Sequence, residues 1–291
     1  LSVKEEAFMN NLAEKIPIAG KLIKGSERAY VGYLNKMRVD LFNRFADVLE
    51  VQGKTWENSP ELYKALGDYI NNSTGRGKIN AIEQAAPLLN GLLFSPRLIA
   101  SRLNLLNPLY YKSLPKEIRI EAMKDMGKFI GVGMAVLTLA SLNGAEVETD
   151  PRSSDFGKIQ VGKTRYDIWG GFQQYIRVLA QVATGQAKST ASDQIREING
   201  EGKFGESRAS VLGRFVRGKL APIPASVINL AAGADMMGNK STLQTEGMSF
   251  ITPLIVSDLY NAFQDNGVKS LFTVGVPATF GVGVSTYLPK G

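Results

Sequence analysis

The chain has 291 residues, and its 44% hydrophobic and 21% charged content is typical of a folded protein. It contains no histidine and no cysteine. This excludes zinc sites built on those residues, a Ser-His-Asp triad, a cysteine nucleophile, a histidine general base and disulfides. Lys and Arg outnumber Asp and Glu by 34 to 27, a basic excess that either attracts nucleic acid or anionic lipid or only maintains solubility.

The first residue is Leu1 rather than Met, so we expect a segment of a longer polypeptide. Apolar residues then recur at steps of three and four between Ser26, a candidate N-cap, and Gly53, a candidate stop. This spacing predicts one long amphipathic helix. Two further helices are predicted after Ser59-Pro60 and Ser95-Pro96, where a candidate cap precedes a proline at the first helical position.

A single helix is predicted for Lys116–Leu142, and its second half, Phe129–Leu142, carries no charge. That half is shorter than the roughly 20 residues of a membrane span. One face carries small residues that allow close helix packing, namely Gly127, Gly131 and Ala135. A buried core helix is the interpretation we favour, and insertion into a membrane is the alternative.

The turn-rich and acidic segment 143–155 predicts a boundary along the chain. It separates an N-terminal helical subregion, 1–145, from a C-terminal subregion, 146–291, and the two are expected to form one composite domain. Paired carboxylates such as Glu148, Asp150 and Asp155 can hold magnesium or catalyse hydrolysis. Turn formation is expected of them first, because proline and serine lie between them, so neither a metal site nor a catalytic site is predicted.

Gly157–Thr164, GKIQVGKT, matches the phosphate-binding loop pattern G-x-x-x-x-G-K-[ST]. A working phosphate loop follows a buried strand and opens a helix, so that backbone N–H groups converge on the phosphates. The preceding DPRSSDF is not a buried strand, and apolar and polar residues alternate on both sides of Gly162-Lys163. The pattern therefore predicts a β-hairpin near 156–168 with a type II′ turn and no nucleotide cofactor. The expected cross-strand pairs are Val161 with Thr164, Ile159 with Tyr166 and Lys158 with Asp167.

Further helices are predicted at 172–183, 208–220, 223–232, 252–263 and 268–274. The polar, Gly-rich spacer 185–206 is expected to be an exposed loop with some helix. A second apolar stretch, 270–284, contains four Gly or Pro residues, which argue against one straight helix. It is interpreted as a tail packed on the core or on a neighbouring subunit, with a lipid or partner contact as the alternative.

Two groups of basic residues are candidate contacts for phosphate or nucleic acid. The interpretation we favour for both groups is a solvated helix face, or ion pairing with the acids of 150–155. The residues are Arg97 and Arg102 in the first group, and Arg208, Arg214, Arg217 and Lys219 in the second.

Four segments together carry a more specific pattern. They are SERAYVGYLNKMRVDLFNRF (26–45), LLFSPRLIASRLNLL (92–106), DPRSSDFGKIQVGKTRYDIWGGFQQYIRVLAQ (150–181) and GVPATFGVGVSTY (275–287). They resemble a domain found towards the C-terminal end of the large polyvalent proteins, giant multidomain proteins of tailed bacteriophages and related mobile elements. The block 150–181 is the most specific part.

The resemblance implies a module of a very long virion protein that travels with the DNA into the host cell, with enzymatic domains elsewhere in the polypeptide. It carries over no catalytic residues, so we expect a non-enzymatic structural or interaction module. Its partners would be portal, tail or internal proteins, or further copies of itself. The alternatives are contact with a host membrane or with DNA, and, third, an enzyme.

The fold expected is a mainly α, multi-helix bundle with one small β-hairpin. Three aromatic side chains, Tyr166, Trp169 and Phe172, are expected to anchor this hairpin to the helices, because large aromatic residues bury the most area per residue.

Overall fold

The computed structural model describes residues 19–78, 91–190, 192–200, 206–235, 238–249 and 282–286, together with Leu89 and Pro277. Nine helices occur within these ranges, beside short antiparallel strands, so the mainly α class is confirmed. The helices are α1 (Ala19–Val51), α2 (Pro60–Ser73), α3 (Pro96–Leu106), α4 (Pro108–Ser113), α5 (Lys116–Leu142), α6 (Gln173–Thr184), α7 (Arg208–Arg217), α8 (Pro222–Ala232) and α9 (Leu243–Ser249). The helices expected at 252–263 and 268–274 lie outside the described residues.

The chain divides into two compact units. Unit 1 comprises Leu1–Met126 and Ala221–Pro224, and unit 2 comprises Gly127–Leu220 and Ala225–Gly291. The division along the chain therefore falls inside α5, whereas the sequence placed it after residue 145.

The described core of unit 1 joins α1 and α2 with α3 and the first turns of α5. Leu49, Leu66, Leu105 and Ile118 contribute one buried side chain from each of these helices. Aromatic rings fill the space between α1 and α2, where Phe45 meets Tyr69 edge-on with ring centres 6.1 Å apart.

The helix ends of unit 1 follow the predicted chemistry in part. Gly53 ends α1 with a φ of +74°, a left-handed conformation that glycine adopts at little cost. Ser26 is not a cap, because α1 is already helical at Ala19. Pro60 and Pro96 open their helices as expected, but neither Ser59 nor Ser95 makes a side-chain capping hydrogen bond.

Unit 2 contains a four-stranded antiparallel sheet of order β1-β2-β3-β6. Its strands are β1 (Glu146–Val147), β2 (Ile159–Val161), β3 (Thr164–Asp167) and β6 (Gly283–Thr286). The hairpin is confirmed, because Ile159 pairs with Tyr166 and Val161 with Thr164. Lys158 lies outside this ladder, so the expected Lys158–Asp167 pair is not part of it.

The turn of this hairpin has the predicted geometry. Gly162, the first central residue of the turn, has a φ of +58°. Lys163, the second, does not have a positive φ; among the described non-glycine residues Asp193 does. Positive φ at the first central position alone distinguishes a type II′ turn from a type I′ turn. The Gly162-Lys163 dipeptide is therefore a hairpin turn.

One prediction for the second half of the chain needs correction. The spacer 185–206 contains a two-stranded antiparallel sheet of β4 (Gln186–Lys188) and β5 (Ile195–Glu197), where a loop with some helix was expected. All three residues of β5 are exposed, so the strand lacks the alternating pattern by which strands are recognised. Of the expected tail 270–284, the described end belongs to β6, where Val284 is buried against Tyr166 and Val282.

The second half of α5 is largely exposed, which contradicts its interpretation as a buried core helix. Among residues 127–142, Gly133 and Leu137 are buried, Ala140 is half-buried and every other residue is exposed. The small residues expected to lie at a close contact, Gly127 and Gly131, have no atom near the position of an added Cβ. Gly133 makes the close contact instead.

Candidate functional site

The letters of the phosphate-loop pattern are distributed over a hairpin. Gly157 precedes β2, Gly162 and Lys163 form the turn, and Thr164 is buried in β3 with its hydroxyl 3.1 Å from that of Thr286. The ladder from Ile159 to Tyr166 directs the strand N–H groups to neighbouring strands, so they do not converge on a ligand. Such a hairpin does not provide the helix N-terminus that binds phosphate.

We therefore predict that the isolated protein does not bind ATP. The measurement is isothermal titration calorimetry with Mg-ATP on the wild-type protein and on Lys163→Ala. Both should give no binding heat at micromolar concentrations. A micromolar affinity that disappears in Lys163→Ala would contradict the hairpin interpretation of this motif.

Gly157 has a different role, which is to leave room for an indole ring. A Cβ at Gly157 would lie 2.6 Å from Nε1 of Trp169, and a Cβ at Gly133 would lie 2.5 Å from the far edge of the same ring. The Trp169 Nε1–H donates a hydrogen bond to the Gly157 carbonyl at 2.8 Å. We call the site formed by Phe129, Gly133, Gly157 and Trp169 the tryptophan slot.

The tryptophan slot attaches the apolar half of α5 to the segment that follows β3. Phe129 meets the Trp169 ring edge-on, with ring centres 5.7 Å apart, and lies at the same distance from Phe172. Trp169 and Phe172 thus both contact Phe129 of α5, and their role as anchors of the hairpin region stays a prediction. For Tyr166 the structure gives a contact with Val284 of β6, so its described packing is within the sheet.

The three acidic residues singled out in the sequence are all held in ion pairs. Glu148 pairs with Lys188 at 2.6 Å, and Asp150 pairs with Arg152 at 2.7 Å. Asp155 bridges two cations, with Lys158 at 3.1 Å and Arg165 at 2.8 Å. Among the described residues there is no group of acidic, His or Cys side chains suited to a metal ion.

The expected turn chemistry is also present, because the Asp150 carboxylate accepts a hydrogen bond from the backbone N–H of Arg152 at 2.9 Å. Glu148, Asp155, Lys158 and Lys188 line a polar cleft of about 570 Å³ beside β1 and β2. Since each of these charges is matched by a neighbour of opposite sign, the pairs hold together the loops that surround the sheet. Lys188 was not singled out in the sequence, since it lies in a polar spacer with no motif.

A pH dependence of stability follows from the Asp150–Arg152 pair. Hydrogen bonds from the Arg152 guanidinium lower the pKa of Asp150 from 3.8 to about 2. A pKa that is lower in the folded state gives stability that is present above pH 3.8 and is lost as the pH falls through about 2. We predict that the free energy of unfolding of Asp150→Asn falls less steeply over this pH range than that of the wild type, measured by urea unfolding. Equal slopes would show that the pair contributes nothing.

The basic candidates are divided between the two units. Arg97 and Arg102 belong to unit 1, whereas the other four belong to unit 2, and both residues of the first group have interaction partners. In unit 2, Arg208 donates to the Val182 carbonyl at 2.8 Å, and Arg214 pairs with Glu206 at 2.5 Å.

The remaining two basic residues also serve the fold of unit 2. Arg217 donates to the Asn229 side chain at 2.7 Å. The Lys219 ammonium donates to Gln174 and lies 5.3 Å and 5.2 Å from the ring centres of Tyr175 and Phe215. Burial, and then the nearby charge of Arg177, lower the pKa of Lys219 to about 8. Ion pairing with the acids of 150–155 was one of the two explanations offered for the basic residues of unit 2. The partners described for these four residues do not include those acids.

The most distinctive surface lies on α5. Among the described residues, Lys116–Leu142 is the one helix that is long and apolar enough to cross a membrane, by length and composition. Only 11% of its most apolar stretch is buried. We call the exposed large apolar side chains of residues 129–142 the apolar surface of α5; they are Phe129, Ile130, Val132, Met134, Val136, Leu139 and Leu142. Contiguous apolar surface of this kind marks an interaction site on most folded proteins.

Comparisons of the chain with protein-family models, with curated proteins and with solved structures gave no match. The resemblance to a domain of the large polyvalent proteins therefore stays a prediction.

Proposed function

We propose that this chain is a non-enzymatic structural and interaction module of a large virion protein of a tailed bacteriophage. It docks on portal, tail or other internal proteins and is delivered into the host cell with the genome. The proposal combines the resemblance of residues 26–287 to large polyvalent proteins with the apolar surface of α5, and this surface is the observation that carries it.

The apolar surface supports an interaction role because exposure of that extent is costly in water. Val132 is 65% exposed and Leu142 is 78% exposed, and five further large apolar side chains lie between or beside them on one helix. Full burial of a side chain of this size is worth about 1.5–3 kcal/mol relative to full exposure, so each of these side chains forgoes a part of that free energy that grows with its exposure. A partner that covers this surface recovers that free energy.

The polar candidates support a non-enzymatic module less directly. The acids beside the hairpin and the described basic residues of unit 2 form ion pairs, hydrogen bonds or ring contacts that hold the unit together. Contact with DNA was an alternative for the basic groups. It is supported by the net charge of +7 more than by any arrangement of the described basic side chains.

Quantitative mass spectrometry of purified particles from the source system tests the virion assignment. The tryptic peptide Tyr166–Arg177 should appear at a fixed number of copies per particle. Its absence from particles, together with its abundance in infected cells, would overturn the assignment.

A photo-crosslinking residue tests the interaction surface in the same particles. Placed at Val132, it should give crosslinks to the molecule that covers α5. The matched control is Val51, an apolar residue of α1 that is 90% exposed, where no specific crosslink is expected. Equal labelling from both positions would mean that α5 has no preferred partner.

A further inference from the structure

The apolar surface of α5 extends around most of the helix circumference. It therefore differs from the narrow apolar stripe by which an amphipathic helix packs into a groove of another protein. Successive residues of an α-helix are about 100° apart, so the buried residues Gly133, Leu137 and half-buried Ala140 lie within one narrow sector. The exposed apolar side chains occupy roughly the other two-thirds of the circumference. A helix that is apolar all round is stable inside a protein core or in a lipid bilayer.

The length of the apolar half indicates how it meets a bilayer. Residues 129–142 extend for about 20 Å along the helix axis, whereas the hydrocarbon core of a bilayer is about 30 Å thick. The tryptophan slot also ties one side of this segment to the loops around the sheet, through the close approach of Trp169 to Gly133. Loops and open sheet edges are not tolerated within hydrocarbon. A helix that stays in the slot therefore lies along the surface instead of crossing.

The N-terminal end of the apolar half suits the headgroup region. Lys124, Asp125 and Lys128 precede it, whereas residues 129–142 include no charged side chain. The same end carries Phe129 and Trp169, whose rings meet edge-on. Lysine stems and tryptophan rings are both favoured at the boundary between lipid and water.

Two polar side chains, Thr138 within the segment and Asn143 just after it, donate hydrogen bonds to the helix backbone. The Thr138 hydroxyl donates to the Met134 carbonyl at 2.8 Å, and the Asn143 amide donates to the Leu139 carbonyl at 2.7 Å. Both donors are satisfied inside the helix, so they need not be left unpaired when water is removed. The net charge of +7 adds attraction to anionic headgroups.

We propose that the apolar surface of α5 binds an anionic phospholipid bilayer, with the helix lying in the membrane plane while Gly133 and Leu137 stay packed on unit 2. This inference deepens the proposed function by naming the partner of the same surface, and it rests on that function for its biological setting. A virion protein as the occupant, or a helix that leaves the slot to span the bilayer, is an outcome of the tests below.

Vesicle flotation gives the first test, with the full chain and vesicles of phosphatidylethanolamine and phosphatidylglycerol. The wild type should float with the vesicles. The double variant Val132→Asp/Leu139→Asp should reduce the bound fraction by about tenfold or more, because carboxylates on the lipid face oppose insertion. The control Val51→Asp changes a residue that is 90% exposed in unit 1 and should float like the wild type. Circular dichroism checks that all three proteins are folded. No flotation, or flotation unaffected by the double variant, overturns the proposal.

Depth measurements separate an in-plane helix from a spanning one. The chain has no cysteine, so Val132→Cys, Leu142→Cys and Val51→Cys each accept one environment-sensitive dye. Quenching by spin-labelled lipids should place the dyes at 132 and 142 both within the bilayer, at depths that differ by no more than the helix radius of about 5 Å, and leave the dye at 51 in water. A difference approaching the roughly 15 Å that separates the two positions along the axis would mean a spanning helix and overturn the proposal.

The failure of this inference is distinguishable from that of the proposed function. If flotation fails while Val132 crosslinks to virion proteins in particles, the bilayer is the wrong partner and the proposed function stands. If the protein is absent from particles but floats through α5, the bilayer contact stands and the virion assignment fails.

Discussion

Trp169→Ala should lower the free energy of unfolding of unit 2 by about 3 kcal/mol, near the lower end of the range for removal of a large aromatic side chain. The lower end applies because the Trp169 side chain is half-buried. The variant loses the edge-on contact with Phe129 and the packing against Gly133, and it leaves the Gly157 carbonyl without its 2.8 Å donor. Urea unfolding followed by circular dichroism measures the change.

The other tryptophan of the chain is a matched control. Trp56 lies in unit 1, is 56% exposed and meets Tyr63 edge-on with ring centres 5.7 Å apart. Trp56→Ala should cost about 1 kcal/mol or less, the value of one exposed aromatic pair. If the two substitutions have the same effect, the tryptophan slot is not a stabilising contact of unit 2.

Gly157→Ala should destabilise unit 2 by about 2–5 kcal/mol, for two separate reasons. Gly157 has a φ of +66°, where an L-residue is strained. The added methyl group would also lie 2.6 Å from Nε1 of Trp169, so the indole has to move out of the slot. Unfolding by urea at neutral pH is again the measurement.

Gly162, the second glycine of the same GKIQVGKT motif, allows the steric cost of the added methyl group to be separated from the cost of backbone strain. Gly162 has a similar φ of +58°, but an added Cβ there would have no atom within 4 Å. Gly162→Ala should therefore cost only the backbone strain, about 1–2 kcal/mol. In a Trp169→Ala background the cost of Gly157→Ala should fall to the same value, since the clash is gone. An unchanged cost in that background would locate the effect in the backbone alone.

The hairpin was predictable because all the information for it is local. Alternation on both sides of Gly162-Lys163 specifies the register, and the turn type follows from the glycine. The strand β6 pairs with the other edge of β3 and lies more than a hundred residues away along the chain. No pattern in residues 156–168 indicates that this second partner exists. The β4–β5 sheet was missed for a different reason: its strand β5 is exposed throughout, so no apolar face marks it.

The α5 helix shows the limit of composition as a guide to burial. Its extent from Lys116 to Leu142 was predicted correctly, because helix propensity and the absence of proline are local properties. Its environment was predicted wrongly, because an apolar sequence does not distinguish a helix buried in a core from one exposed on a surface. The size of Trp169 and Phe172 singled them out as candidate anchors, but Gly133 as the counterpart of Trp169 was not visible among several glycines of the same helix.

The position of β6 has a consequence for the order in which unit 2 is completed. Thr164 and Thr286 are hydrogen-bonded across 122 residues of sequence, so this part of the sheet has a high contact order and is expected to form late. During synthesis from the N-terminus, β3 has an unpaired edge until residues 283–286 emerge, and an open strand edge favours aggregation. A truncation before Gly283 would make that exposure permanent, so residues 283–286 act as the closing strand of a unit that begins near residue 127.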